Sequence, residues 1–441
     1  MVIKNYPVNI TRKQIIILSI PVFFSNLAIP LVGIVDTGLM GNLGDSRYLA
    51  ATSIAASIMT MIIWSFGFLR MGTVGIVAQL FARSDYREIV KTLIRNFLIA
   101  IFVSILILSL KPIILKITED YFLTSNDTSE LIKTYISIRI LSLPAELTIY
   151  ILIGFFLGIQ KTNISSLFII LLSALNIILS SYFVLSLNLN VFGVALGTLI
   201  ASYITVFLFL IFTYKFILKR FQIYPSFQRL FITSKFLKLF SINFNIFIRT
   251  LFLTFSFLWI TFLGAKLGED FLAVNAILMQ FVVFAAFFLD AYAFSTEGII
   301  GFAVGKRNLR SFWLAVNNSI QLSFFTAIMI SILYLLFFKQ LINLITDVEI
   351  LRFIAYKHAI WIFILPPVAS FCYQLDGIFI GSSQTKEIRN AMMISVTLFI
   401  VTSLYLTKYF GNHGLWLSLT IFMILRSITL NFFFKKIIKR F

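Results

Sequence analysis

The chain reads as an all-α polytopic membrane protein of about twelve transmembrane helices in two six-helix bundles. Three observations predict this. Hydrophobic residues make up 60% of the 441 and charged residues only 12%, with a mean hydropathy of +1.00, which leaves too little charge to cover a water-soluble surface. Apolar runs long enough at helical rise to cross a bilayer recur along the whole length, leaving no stretch for a large soluble domain. Basic residues gather in alternate connections, as expected where every second loop faces the cytoplasm.

The first span, near residues 15–40, reads IIILSIPVFFSNLAIPLVGIVDTGLM and carries a single ionisable residue, Asp36. A carboxylate at membrane depth costs about 2.5 to 3.5 kcal/mol on insertion scales, so such a residue usually faces a bundle interior or a wet cavity and serves ion or substrate movement. Pro21, Pro30 and Gly33 precede it and weaken helical hydrogen bonding, so this helix can bend near its acid. The alternative is that Asp36 caps the outer end of the helix near Gly38 and Gly41; the insertion cost favours function. The run is too long for a signal-peptide core and lacks a small-residue cleavage site, so the N-terminus is expected to be retained.

The remaining spans fall near 48–80, 88–112, 130–158, 163–187, 191–218, 236–263, 271–303, 309–338, 350–380, 388–408 and 414–436. Basic clusters precede or join them at Lys4, Arg12 and Lys13; at Arg83, Arg87, Lys91 and Arg95; at Lys161; from Lys215 through Arg229 to Lys238; at Lys306, Arg307 and Arg310; at Lys386 and Arg389; and from Lys435 to Arg440. By the positive-inside rule these connections and both termini are cytoplasmic in a plasma-membrane protein. The connections between them, such as GNLGDSR, GAKLGED and FGNHG, are poorer in Lys and Arg. A net charge of +19 could suggest nucleic acid, but the basic residues are scattered through short loops, so topology explains them and no nucleic-acid partner is expected. The single cysteine, Cys372, excludes an intramolecular disulfide and a cysteine metal cluster.

Sliding the chain against itself by 223 residues pairs Gly41 with Gly264, Gly75 with Gly298, Gly154 with Gly377 and Gly158 with Gly381, together with Leu49–Ala50 and Leu272–Ala273, Pro144 and Pro367, and Thr162 and Thr385. Eleven glycines before residue 224 and nine after it would give about 0.5 glycine pairs by chance, so the four pairs mark an internal repeat. The lobes are expected at 1–214 and 238–441, joined by a basic linker at 215–237 that an anionic-lipid surface could also attract. Six spans per lobe keep both in one orientation, which places a pseudo-twofold axis along the membrane normal and allows a central cavity to open to either side. No phosphate loop and no HExxH motif is present, so an ion gradient is the expected energy source.

Acids at predicted membrane depth are Asp36, Glu146, Asp290, Glu297 and Asp376, and bases are Arg70, Arg139, Arg249 and Arg426. Glu146, Arg139 and Arg426 read best as buried ion pairs or helix-end residues. Asp290 and Asp376 lie among apolar residues and glycine; a buried carboxyl can take a proton from one side and lose it to the other as cavity hydration changes. Asn176 and Ser180 share a face of the fifth helix, and Thr198 lies near the start of the sixth; with Asp36 they could form an oxygen-rich pocket or make ordinary interhelical hydrogen bonds. His358 and His413 read as interfacial.

The strings PLVGIVDTGLMGNLG, LRMGTVGIVAQLFARSD, LDAYAFSTEGIIGFAVGKRN and QLDGIFIGSSQTKEIRNAMM, followed by GNHGLWLSLTIFMILR, resemble the DinF branch of the multidrug and toxic compound extrusion (MATE) family over nearly the whole chain. The resemblance implies a two-lobed exporter of small organic compounds, cationic or amphipathic, driven by inward flow of H⁺ or Na⁺. It assigns Asp36 as the proton or cation site of the first lobe, with Asn176 and Thr198 as partners. Relatives resembling NIxLD carry Asp where this chain has Ser180 in NIILS. Loss of that carboxylate leaves Asp36 as the only acid of the lobe's site and argues for protons, since a Na⁺ ion held by Asp36, Asn176 and Thr198 would have one anionic ligand. Asp290, Asp376 and Arg249 match the branch in the second lobe and, with Glu297, are the expected substrate-cavity residues.

A proton-coupled antiporter exporting organic cations or amphipathic toxins by alternating access is therefore the leading expectation, without cofactor and as a monomer in the lipid bilayer. Na⁺-coupled export, or a flippase for lipid-linked precursors, is the alternative within the superfamily; the flippase needs a strongly cationic cavity, whereas acids here roughly balance the arginines. A membrane-embedded enzyme would need a clustered nucleophile, base or metal set, and two His and one Cys at no ligand-type spacing argue against it. A scaffold or receptor would not require buried acids.

Overall fold

The computed structural model describes residues 10–121, 125–223, 230 and 232–441. Lys4 and Arg229, named above as topological charges, lie outside the described residues. Among the described residues, eleven helical segments are long and apolar enough to span a bilayer, and the last of them, Thr385–Ile438, is two helices meeting at Gly411. Gly411 takes φ +56° and ψ −135°, and a Cβ on Gly414 would collide with the carbonyl of Leu406, so the chain turns sharply between them. Among the described residues there are thus twelve membrane helices: α1 (Arg12–Gly41), α2 (Ser46–Ala82), α3 (Tyr86–Ser109), α4 (Asn126–Gly158), α5 (Thr162–Ser186), α6 (Asn190–Phe221), α7 (Thr233–Leu267), α8 (Glu269–Gly305), α9 (Leu309–Ile345), α10 (Glu349–Gly381), α11 (385–410) and α12 (412–438). A short helix, Lys111–Tyr121, follows α3. Large apolar side chains such as Phe102, Leu344 and Phe432 are exposed on these helices, which suits a hydrocarbon solvent and not water.

The chain forms two compact units, Phe24–Leu239 and the described residues up to Phe23 together with Phe240–Phe441. The first half of α1 therefore belongs with the C-terminal helices, whereas the sequence division assigns it to residues 1–214. Side chains explain the difference: Asn318 donates to the carbonyl of Ile10 at 2.9 Å, Ser19 donates to Ser295 at 3.0 Å, and the rings of Phe23 and Phe288 lie 4.2 Å apart. α1 itself is helical without interruption through Pro21 and Pro30 to Gly41.

The 223-residue repeat is visible in backbone contacts. A Cβ on Gly154 would sit 2.6 Å from the carbonyl oxygen of Arg70 and one on Gly377 2.8 Å from that of Ala293; 70 plus 223 is 293. Gly158 meets Val74 and Gly381 meets Glu297 in the same way, so glycine lets α4 lie against α2 in one unit and α10 against α8 in the other. The loops repeat too. Ser84 and Arg307 are both left-handed, at φ 59° and 53°, as are Gln160 and Ser383, at 58° and 54°. Each pair closes a helix in the Schellman manner, with Asp85 N bonded to Leu80 O, Asn308 N to Ala303 O, Lys161 N to Phe156 O and Gln384 N to Phe379 O. Asp85 and Asn308 then cap the next helices by accepting from Glu88 N and Ser311 N.

α4 changes character at Arg139. Its first part, Asn126–Arg139, passes through a 3₁₀ turn at Ile140–Ser142 before the α-helix resumes at Leu143. Pro144 accounts for the break, because it has no N–H to give the carbonyl of Ile140 and its ring crowds that group. The tighter turn sets Arg139, Ser142 and Glu146 together.

Candidate functional site

Within the Phe24–Leu239 unit, α1, α4, α5 and α6 bring polar groups to one place. Ser180 and Asn176 are four residues apart on α5, and Ser180 Oγ donates to Asn176 Oδ1 at 3.2 Å. Asn176 Nδ2 donates to Thr198 Oγ1 on α6 at 2.9 Å. The close approach of α5 to α6 needs Gly197, where a Cβ would lie 2.7 Å from both the backbone nitrogen and Oγ of Ser180. Asp36 is partly buried near Ser180. Its Oδ1 is buried with no hydrogen-bond partner. The four residues expected from sequence to form the first lobe's site are thus neighbours.

A second carboxylate joins them, and this corrects the expectation that Asp36 is the only acid there. Glu146 on α4 forms an ion pair with Arg139, receives Ser142 Oγ at 2.8 Å and receives Ser202 Oγ at 3.4 Å. Ser202 also bonds the carbonyl of Thr198 at 2.8 Å, which ties Glu146 to the Asn176–Thr198 pair. Arg139 also donates to Ser142, and Tyr135 and Asp36 lie in its neighbourhood. The site therefore holds two carboxyls and one guanidinium in a frame of neutral hydroxyls and an amide. Such a frame can hold a proton or a small cation; Ser180 supplies a neutral oxygen where an anionic one would strengthen a hard cation.

In the other unit, Asp376 on α10 is clamped by two arginines through one oxygen. Arg249 from α7 and Arg426 from α12 both donate to Asp376 Oδ2, Arg426 at 2.7 Å. All three side chains are buried. Arg426 also lies over the rings of Phe422 and Tyr373, at 5.6 and 6.0 Å. Asp290, partly buried on α8, acts on Tyr373 and Cys372 beside this cluster. Glu297 is buried on α8 where its carbonyl abuts Gly381. A small apolar recess between α8 and α10 is lined by Val282, Ala285, Leu289, Leu365, Pro366 and Tyr373.

The MatE family model matches residues 21–182 and again 246–406. The chain belongs to the MatE family. Its two matched stretches fall one in each half of the repeat, and membership makes it a multi-pass membrane transporter and not an enzyme. This MatE chain is 35% identical to DNA damage-inducible protein F of Escherichia coli K12 over 416 residues, 94% of this chain and 90% of that protein. It is 25% identical to the multidrug export protein MepA of Staphylococcus saprophyticus over 197 residues, 44% of this chain and 43% of MepA. Its fold is that of a mutant of the Vibrio cholerae MATE transporter VcmN, with TM-score 0.88, 18% identity and 97% of each chain covered. A multidrug resistance MATE transporter in an outward-facing conformation matches with TM-score 0.87, 18% identity, and 97% and 96% coverage.

The sequence reading takes Glu146, Arg139 and Arg426 as ion-pair or helix-end residues and does not consider Ser202; Glu146 and Arg139 pair with each other in one unit, and Arg426 pairs with Asp376 in the other. The spacing of Arg139 and Glu146, seven residues or two turns, does signal a shared face. Nothing local signals that Ser202 reaches Glu146 from α6 or that Arg426 reaches Asp376 across 50 residues.

Proposed function

We propose that this MatE transporter is a secondary antiporter that exports organic cationic or amphipathic compounds in exchange for protons by alternating access. Asp36 is the group that binds the coupling proton. The observation that carries this reading is the Asp36 carboxylate itself: it sits inside a membrane helix, one oxygen is buried without a partner, and the groups bonded around it are neutral. A carboxyl so placed suits a coupling proton: Glu146 is committed to Arg139 and Ser180 is neutral, so a sodium ion at Asp36 would find no second uncommitted anionic ligand. The names of MepA and of the outward-facing multidrug resistance transporter support export as the direction and organic compounds as the cargo.

In the second unit Asp376 is already shared by two guanidinium groups, so its charge is committed within the protein. Asp290, Asp376, Arg249 and Glu297 are the residues we assign to the surroundings of a cationic substrate. The basic clusters in alternate connections support a plasma-membrane protein with both termini in the cytoplasm.

The test is proton movement evoked by substrate. Proteoliposomes enclosing a pH-sensitive dye are given ethidium, and the expected result is a proton flux that protein-free liposomes and the Asp36→Asn variant do not show. Ethidium movement with no accompanying proton flux contradicts the proposal.

A further inference from the structure

His358 and His413, which play no part in the coupling site, form a stacked pair in the second unit. His358 is buried on α10 and His413 is exposed at the start of α12; their rings lie 4.2 Å apart and 24° from parallel. Trp361, one turn after His358, donates its indole N–H to His413 Nδ1 at 3.0 Å. An indole N–H only donates, so this bond needs the Nδ1 lone pair and exists only with a neutral His413 whose hydrogen is on Nε2. His358 Nδ1 is 2.7 Å from the carbonyl of Ile354, which only accepts, so His358 donates there. The Phe271 ring from α8 lies edge-on to His358 at 6.2 Å. The backbone on either side of His413 is fixed: Asn412 accepts from Asn275 on α8 at 2.7 Å, and a Cβ on Gly414 would collide with the carbonyl of Leu406. Charged groups on the packed elements are few. Lys357 is next to His358 in the chain and acts on it, and Glu269 and Asp270 precede Phe271 on α8. Arg352, Lys339 and Lys408 are engaged with Asp347, the Tyr356 ring and the Tyr409 ring, and α12 carries no charge between His413 and Arg426.

From this geometry we infer that Trp361 and His413 form a proton-operated latch between α10 and the α11–α12 turn, closed while His413 is neutral and open once it is protonated. His413 is the ring that water reaches. A proton added to its Nδ1 meets the indole N–H, so donor faces donor and the bond is lost. Two charged imidazoles stacked at this distance would repel, so the pair takes up one proton. Histidine changes charge between about pH 5 and 8, which closes the latch at the upper end of that window and opens it at the lower. α10 carries Asp376 and α12 carries Arg426, so the latch governs how firmly the two helices of that ion pair are joined at the end away from it. By the charge pattern of the connections this end faces away from the cytoplasm, and the latch senses the pH outside.

The test is tryptophan fluorescence of the full-length protein in detergent as a function of pH, together with hydrogen exchange at residues 405–416 at the two ends of that pH window, corrected for the intrinsic effect of pH on exchange. The wild type is expected to show a fluorescence step that Trp361→Phe and His413→Gln both remove and Asp36→Asn keeps, and exchange in this segment that is faster at the acid end. In His413→Gln the corrected exchange should be the same at both ends. Absence of a Trp361-dependent step, a step that persists in folded His413→Gln, or a step with no change in exchange overturns the inference. Loss of the step in folded Asp36→Asn also overturns it, by assigning the titration to the coupling acid. If His413→Gln does not fold, Trp361→Phe decides: exchange that still rises with acid in that variant overturns the latch.

Discussion

Trp259 donates its indole N–H to the hydroxyl of Ser403 at 2.9 Å, and 223 residues earlier the same two positions are Asp36 and Ser180. One repeat unit therefore closes this place with a neutral hydrogen bond, while the other keeps a carboxylate there. Trp N–H is a donor only, so the second unit has no titratable group at this position. The first unit has an acid at this position; the second has its acid elsewhere, in Asp376 with its two arginines.

Gly197→Ala is expected to damage the site through packing. Its new methyl would lie 2.7 Å from Ser180, so α5 and α6 must part and the Asn176–Thr198 bond must stretch. Overpacking of this kind costs about 1–3 kcal/mol. Gly38→Ala on α1 is the control: a Cβ there meets nothing within 4 Å, and stability should hold or rise. Thermal unfolding of the two variants in detergent distinguishes them; equal melting temperatures would show that the α5–α6 contact is not tight.

Much of the architecture was legible because it follows from simple constraints. The repeat shows in Gly154, Gly158, Gly377 and Gly381, since only glycine lets one helix lie on the carbonyls of another. Asn176, Ser180 and Thr198 show through the four-residue face and the family pattern. Other features depend on tertiary placement. Arg139 and Glu146 look like an ordinary ion pair until Ser202 and Thr198 link them to Asp36's neighbours. The membership of the first half of α1 in the C-terminal unit rests on contacts such as Ser19 with Ser295, which no local pattern encodes.

Asp376→Asn should be a stability mutation before it is a specificity mutation. Removing the carboxylate leaves Arg249 and Arg426 buried beside each other, and breaking a buried ion pair costs about 3–5 kcal/mol. Adding Arg426→Gln should recover part of the loss by removing one of the stranded charges. Asp290→Asn should weaken ethidium binding. Unfolding curves and dye titrations of the three variants check both parts; normal melting of Asp376→Asn would mean that the arginines find other partners.

Ser180→Asp is expected to raise sodium affinity by supplying the anionic ligand that the Asn176–Thr198 frame lacks. The larger side chain must be accommodated against Gly197, so some loss of stability should accompany the gain. Sodium-dependent protection against thermal unfolding reads both effects. No sodium effect in a folded variant would show that these oxygens do not converge on a cation.

The central claim is that protons, bound at Asp36, drive export. Its most direct test is transport by proteoliposomes at zero membrane potential, with H⁺ and Na⁺ gradients imposed separately and ethidium as cargo. A proton gradient is expected to drive uphill ethidium movement in the wild type, a sodium gradient at clamped pH is not, and Asp36→Asn is expected to respond to neither. Ethidium transport that follows the sodium gradient at clamped pH and ignores the proton gradient would contradict it.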